Sequence, residues 1–151
     1  MSQYYELGGE TLWNPSNGAS RLFLRQVAVF EEELGLPSGI GPMEADECRI
    51  DPVAFGVFAR ALLARQRQIR HAVMRALTEG FLLTVLALAE RSGIEVFEEP
   101  SAPASSGPAP AAVLRDVQVL AGAHSLVDED PYGLDEELRR KVRELDRCMA
   151  R

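Results

Sequence analysis

Lysine is nearly missing from this chain of 151 residues: Lys141 stands alone against fifteen arginines. Such a bias reads first as codon usage in a GC-rich genome and only second as guanidinium chemistry. Histidine is scarce too. His71 and His124 are the only two, and neither has a second His or Cys at helix-ligand spacing, so a metal centre has little support. Cys48 and Cys148 lack CxxC spacing and make no disulfide framework, so two inert thiols in a reducing compartment are expected. Long apolar runs are also lacking. The longest nearly apolar stretch, FLLTVLALA (81–89), has nine residues, whereas a membrane span needs about 20. The N-terminal MSQYYELGGE shows neither the basic region nor the apolar run of a signal peptide. A cytoplasmic location, with no membrane partner, is the expectation.

The longest stretch without an acid is residues 52–78. Residues 52–78 hold five arginines and no carboxylate, a charge of +5, while the whole chain carries −7. The acidic total argues against nucleic acid as a partner, because polyphosphate repels it. It leaves the basic stretch as the most informative charge feature.

The rest is read from spacing. YYELGGETLW (4–13) predicts a hairpin turned at Gly8-Gly9, with Tyr4 opposite Trp13 and Tyr5 opposite Leu12. Residues 16–34 predict a helix burying Phe23, Val27, Phe30 and Leu34, closed by Gly35 and Pro37. GLPSGIGPMEADECRI (35–50) reads as loop chemistry. Asp51 and Pro52 open a long helix to about residue 79. Phe55, Phe58, Leu62, Ile69, Val73, Ala76 and Leu77 share one of its faces. Arg60, Arg67, His71 and Arg75 share the opposite face, with Arg65 and Arg70 flanking. A kink is expected at Thr78-Glu79-Gly80, then a buried helix over 81–92 and a short strand in 94–98.

PSAPASSGPAPA (100–111) is too poor in bulky apolar residues to fold and reads as a semi-extended linker. It separates a core domain, residues 1–99, from a helical arm, residues 112–151. In the arm, Leu134, Leu138, Val142, Leu145 and Met149 form a narrow stripe. The expected fold is therefore mainly α: a three-helix core with an N-terminal β-hairpin, and a C-terminal helical arm after the linker.

No catalytic constellation emerges. DEDPYGLDEE (128–137) matches a calcium loop at Asp128, Asp130 and Gly133, but Arg139 stands where the bidentate Glu belongs. A turn at Pro131 and Gly133 with Asp135 as helix cap explains it better. Tyr132 and Glu136 resemble the tail signal of type VII secretion substrates, without the Trp-x-Gly turn that accompanies it. Gly39-Ile40-Gly41 lacks the context of a phosphate loop. Glu44, Asp46, Glu47 and Asp51 read as a solvated loop and a cap rather than an acid–base pair.

LWNPSNGASRLF, GLPSGIGPM and DECRIDP together resemble a family of short, functionally uncharacterised actinobacterial proteins, over roughly residues 1 to 95. The resemblance implies no activity, cofactor or catalytic residue. The reading that follows is a non-catalytic interaction or adaptor protein with no cofactor. Its association helix would be the C-terminal stripe, forming a homodimer or binding another protein. Arg60, Arg67, His71 and Arg75 would either pair inside the fold or dock an acidic partner. A rival reading is a small helical enzyme or ligand binder. Its pocket would lie between hairpin and long helix, lined by Tyr4, Tyr5, Trp13, His71, Arg65 and Arg70. An immunity-type protein that neutralises a toxin fits the size and acidity equally well.

Overall fold

The computed structural model describes residues 3–97 and 131–150. The linker at 100–111, the segment at 112–127 and Asp128, Glu129 and Asp130 lie outside the described residues.

The N-terminal hairpin forms from β1 (Tyr4–Leu7) and β2 (Glu10–Trp13). Gly8 and Gly9 turn it with φ of 61° and 89°, values open to glycine without a Cβ penalty. The register differs from the expected one. Tyr5 opposes Trp13 and Glu6 opposes Thr11, because a bulge falls between them. The extra residue is Leu12, and the bulge lets both Leu12 and Tyr5 reach the core. α1 (Asn17–Leu34) follows, capped by Ser16, whose hydroxyl accepts from the Ala19 N–H, and closed by Gly35 at φ 63°.

The stretch read as loop is a second hairpin, β3 (Ile40–Glu44) and β4 (Glu47–Ile50). Its turn places Ala45 and Asp46 at φ 49° and 67°, where glycine or asparagine would have advertised it. Pro42 is tolerated because β3 is an edge strand. β4 pairs parallel to β1, giving a four-stranded sheet in the order β2-β1-β4-β3. The β content is thus larger than a hairpin cap, and β4 is the strand that pairs with β1 outside the first hairpin. Residues 94–97 are not a strand. Gly39 needs its freedom for packing: φ is 74°, and a Cβ would lie 2.7 Å from the Phe55 nitrogen.

α2 (Pro52–Gln68) starts where Asp51 accepts from the N–H groups of Val53 and Ala54 at 2.8 and 3.1 Å. It ends eleven residues sooner than expected. α3 (Ala72–Arg91) then doubles back along it, and Thr78, Glu79 and Gly80 sit within α3 rather than at a break. The cause is tertiary. Thr78 Oγ1 donates to Gln66 Oε1 at 2.5 Å, and Gln66 Nε2 donates to the Arg75 carbonyl at 3.4 Å. Both side chains are buried, and the contact satisfies the Gln66 amide, while Thr78 Oγ1 also reaches the Met74 and Arg75 carbonyls of its own helix at 3.0 and 3.1 Å. The break also resets the apolar face. Phe55, Phe58 and Leu62 are buried, but Val73, Ala76 and Leu77 of the same expected stripe are exposed.

α4 (Pro131–Cys148) begins at the proline itself, a favoured first position. Asp135 therefore lies inside the helix and does not cap it. α4 runs parallel to α3, with Lys141 beside Glu79 and Asp146 beside Arg91. Leu138, Val142 and Met149 are buried in the common core, and Leu134 and Leu145 pack against it. Helices dominate, so the fold is mainly α, built on a four-stranded sheet. Its core is threaded by aromatic rings: Tyr5–Trp13 at 5.3 Å, Trp13–Phe23 at 5.4 Å, Phe23–Phe81 at 5.5 Å and Phe30 stacked on Phe81 at 4.5 Å. Among the described residues, α3 alone is long and apolar enough to cross a membrane by length and composition. Here it is the central helix, buried over most of 81–89.

Candidate docking surface

The basic face of residues 52–78 divides when folded. Arg60 donates to the Glu95 carbonyl at 3.0 Å. Arg65 meets Glu33 of α1 at 2.6 Å, and Arg67 pairs through two nitrogens with Asp135 of α4. Arg75 is half-buried near α4. The Glu137 carboxyl is held below its usual range by its hydrogen bond from Lys141, then by the charges of Lys141, Arg140 and Arg75. The Lys141 ammonium is raised in turn by its bonds to Glu137 and Glu79. Arg70 and His71, in the α2–α3 connection, are exposed. Among the described residues neither makes an ion pair, and the His71 side chain does not cap α3.

The stripe on α4 packs within its own chain. What locks it there is Arg91, which is 5% exposed at its side chain. Its Nε meets Asp146 Oδ1 at 2.5 Å. Nη1 donates to the carbonyls of Leu12 at 2.6 Å and Ala150 at 3.4 Å, and Nη2 to those of Asp146 and Met149 at 2.8 Å each. A guanidinium has five N–H donors, and here all five are answered. Three of the acceptors are carbonyls at the end of α4, where the helix dipole is negative and lacks intrahelical partners. The Asn14 N–H adds a bond to the Ala150 carbonyl at 3.0 Å. One cation thus joins β2, α3 and α4. Spacing carries no sign of this: an arginine in the last turn of a helix is most simply read as solvated.

What remains open is apolar. Val73, Met74 and Leu77 are 59, 42 and 68% exposed on the first two turns of α3, while later turns of the same helix are core. Leu22 and Val29 are 60 and 55% exposed on α1. Val29 directly precedes Phe30, whose ring stacks on Phe81, and Leu77 lies one turn before Phe81. Phe23 and Phe30 both reach the Phe81 ring, so α1 crosses α3 there. The Arg65–Glu33 pair ties the end of α1 to the end of α2, just before Arg70 and His71. Val73, Met74 and Leu77 thus form an exposed apolar cluster at the start of α3, next in sequence to the exposed Arg70 and His71.

The residues imagined as a ligand pocket are not brought together. Tyr5 is fully buried, its hydroxyl 2.7 Å from Ser20 Oγ, while His71 lies out in the α2–α3 connection. A cavity of about 760 Å³ lies elsewhere, walled by Leu86, Ile94, Val96, Phe97, Arg139 and Val142. Arg139 there covers the Phe97 ring at 4.7 Å. Burial pushes the Tyr5 hydroxyl up to about 12 and the Cys48 thiol up to about 11. Cys48 donates to the Gly41 carbonyl, and both groups are packing residues held protonated. Among the described residues, no three His, Cys, Asp or Glu side chains converge to hold a metal ion.

This is a small, mainly helical protein on a four-stranded sheet, with an exposed apolar cluster at the start of α3. The chain belongs to the family described as "Family of unknown function (DUF6086)", whose profile matches residues 1–151 and so takes in α4 as well as the first 95 residues. No curated protein and no solved structure matches it.

Proposed function

We propose that the chain is a non-catalytic interaction protein that docks through the exposed apolar start of α3. The exposure of Val73, Met74 and Leu77 carries this reading. A helix that is core for most of its length presents three large apolar side chains to water at its start. Soluble surfaces seldom keep such a cluster without a partner. Exposed Arg70, which makes no ion pair among the described residues, stands just before that cluster, and charge beside an apolar centre gives partner selectivity. The stripe of Leu134, Leu138, Val142, Leu145 and Met149 is engaged inside the chain, so this reading does not rest on it.

Cross-linked capture from the native source tests the reading. The bait is the full chain, either as it stands or carrying Val73→Glu and Leu77→Glu. Association lost with the variant, whether with another protein or with an untagged copy, is the expected result. An identical captured set for both baits overturns the reading.

A further inference from the structure

The seam between α3 and α4 is not closed along its whole length. The cavity of about 760 Å³ opens there, lined by buried Leu86, Ala89, Val96 and Val142 and by half-buried Ile94 and Phe97. A second cavity of about 350 Å³ shares Glu90 and Arg143 with it and adds Arg147, so the two continue one another as a groove. Arg139, Arg143 and Arg147 line its α4 side. They stand four residues apart on the helix, exposed, and make no ion pair among the described residues. The helical rise spaces them about 6 Å apart in one row. Other cations of α4 are engaged, Lys141 with Glu79 and Glu137 and Arg140 with Glu144. Arg139 is steadied over the Phe97 ring at 4.7 Å. A guanidinium held over a ring still has N–H donors to offer a carboxylate, because it carries five. Glu90 of α3 and Glu95 just after that helix line the same cavity, also without an ion pair.

We propose that this groove binds an acidic peptide segment of a partner protein, its apolar side chains in the larger cavity and its carboxylates along the Arg139–Arg143–Arg147 row. Charge complementarity selects that occupant. Three cations in a row call for several anions in a row. Carboxylates four apart on a helix, or two apart on a strand, repeat at about 6–7 Å and match the spacing. A small molecule with one carboxylate would leave most of the row unanswered. A polyphosphate is anionic throughout, and Glu90 and Glu95 in the same cavity oppose it. A peptide can keep its acids on one edge, so these two carboxylates fix which way it lies. The groove is at the opposite end of α3 from Val73, Met74 and Leu77. It is a second docking site and stands independently of the first.

Selection of a random-peptide phage library on the full chain tests this, with a variant carrying Arg139→Glu, Arg143→Glu and Arg147→Glu as the counter-bait. All three side chains are exposed, so the variant is expected to keep the wild-type melting curve. If it does not, Arg143→Glu alone serves as counter-bait. Enriched sequences are expected to carry repeated Asp or Glu beside apolar residues and to be missing from the variant's set. A synthetic peptide of an enriched sequence, followed by fluorescence anisotropy, is expected to bind Arg143→Glu about tenfold more weakly than wild type. Its affinity should also fall as salt is raised. The Val73→Glu, Leu77→Glu chain is expected to bind it as wild type does, which separates this site from the start of α3; loss with that chain overturns their independence. No sequence enriched over the counter-bait, or enriched sequences without acids, overturns the site. Equal binding by Arg143→Glu overturns the role of the row. Saturable binding of a labelled single-stranded oligonucleotide that the same variants abolish overturns the peptide in favour of polyphosphate.

Discussion

The Arg91 guanidinium meets the Asp146 carboxylate at 2.5 Å across the seam between α3 and α4, with the arginine 5% and the aspartate 38% exposed. Around that pair the same guanidinium donates to four carbonyls on β2 and the end of α4. Removing the cation leaves three part-buried carbonyls and a partly solvated carboxylate without their donor. Arg91→Leu is expected to lower unfolding free energy by about 1–3 kcal/mol, the range for leaving hydrogen-bond acceptors unmet, since Asp146 is partly solvated. Arg91→Lys should recover only part of this, since an ammonium has three donors in place of five. Urea denaturation of the three proteins measures it. Equal stability of Arg91→Lys and wild type would show that charge alone, not the five-fold donor set, closes the seam.

Apolar packing rather than surface charge should hold the rest of α4. Leu138 and Val142 are each 1% exposed. Leu138→Ala is expected to cost about 2–5 kcal/mol. Arg67 and Asp135 are 35 and 22% exposed, and Arg67→Gln is expected to cost up to about 1 kcal/mol. A larger loss for Arg67→Gln than for Leu138→Ala, by the same denaturation curves, would reverse that ranking.

Gly39 and Gly8 both have positive φ but different surroundings. A Cβ at Gly8 meets nothing within 4 Å, whereas at Gly39 it overlaps the backbone of Asp51 and Phe55 at 2.8 and 2.7 Å. Gly8→Ala should cost about 1–2 kcal/mol from backbone conformation alone. Gly39→Ala must add displacement of the start of α2 to the same penalty. Thermal melts of the two variants decide it, and equal losses would show that the loop yields without moving α2.

Stability should fall at high pH. Cys48 and Tyr5 are raised to about 11 and about 12 from ordinary values of 9.0 and 10.0. Both are acids that keep their proton when folded and lose it sooner when unfolded. Their contribution is therefore constant below about pH 9 and declines as pH rises through the gap between unfolded and folded values. Each group contributes a slope of up to about 1.4 kcal/mol per pH unit. Denaturation from pH 8 to 11 should show the decline, and Cys48→Ala should make it shallower. At neutral pH a thiol reagent should label exposed Cys148 readily and buried Cys48 only on unfolding.

Some of this architecture follows from the chain's local chemistry. Ser16 and Asp51 are helix caps because their oxygens answer orphan N–H groups two or three residues on, and that spacing is written in the sequence. Gly8-Gly9 makes its turn, and Gly35 ends α1, because positive φ is a property of the residue itself. Phe23, Val27 and Phe30 recur at helical spacing, and they are buried. What spacing does not carry is the choice among partners. Nothing between Ile69 and His71 breaks a helix locally. The turn there is held by tertiary contacts, among them the buried Gln66–Thr78 bond across α2 and α3. The second hairpin has no glycine in its turn, and only pairing with β1 selects it. Glu33 and Arg65, Arg67 and Asp135, Arg91 and Asp146 are each more than thirty residues apart. The stripe on α4 shows in the sequence because amphipathicity is periodic. That it closes on its own core, and leaves the start of α3 open instead, is a competition for apolar surface that only the assembled chain decides.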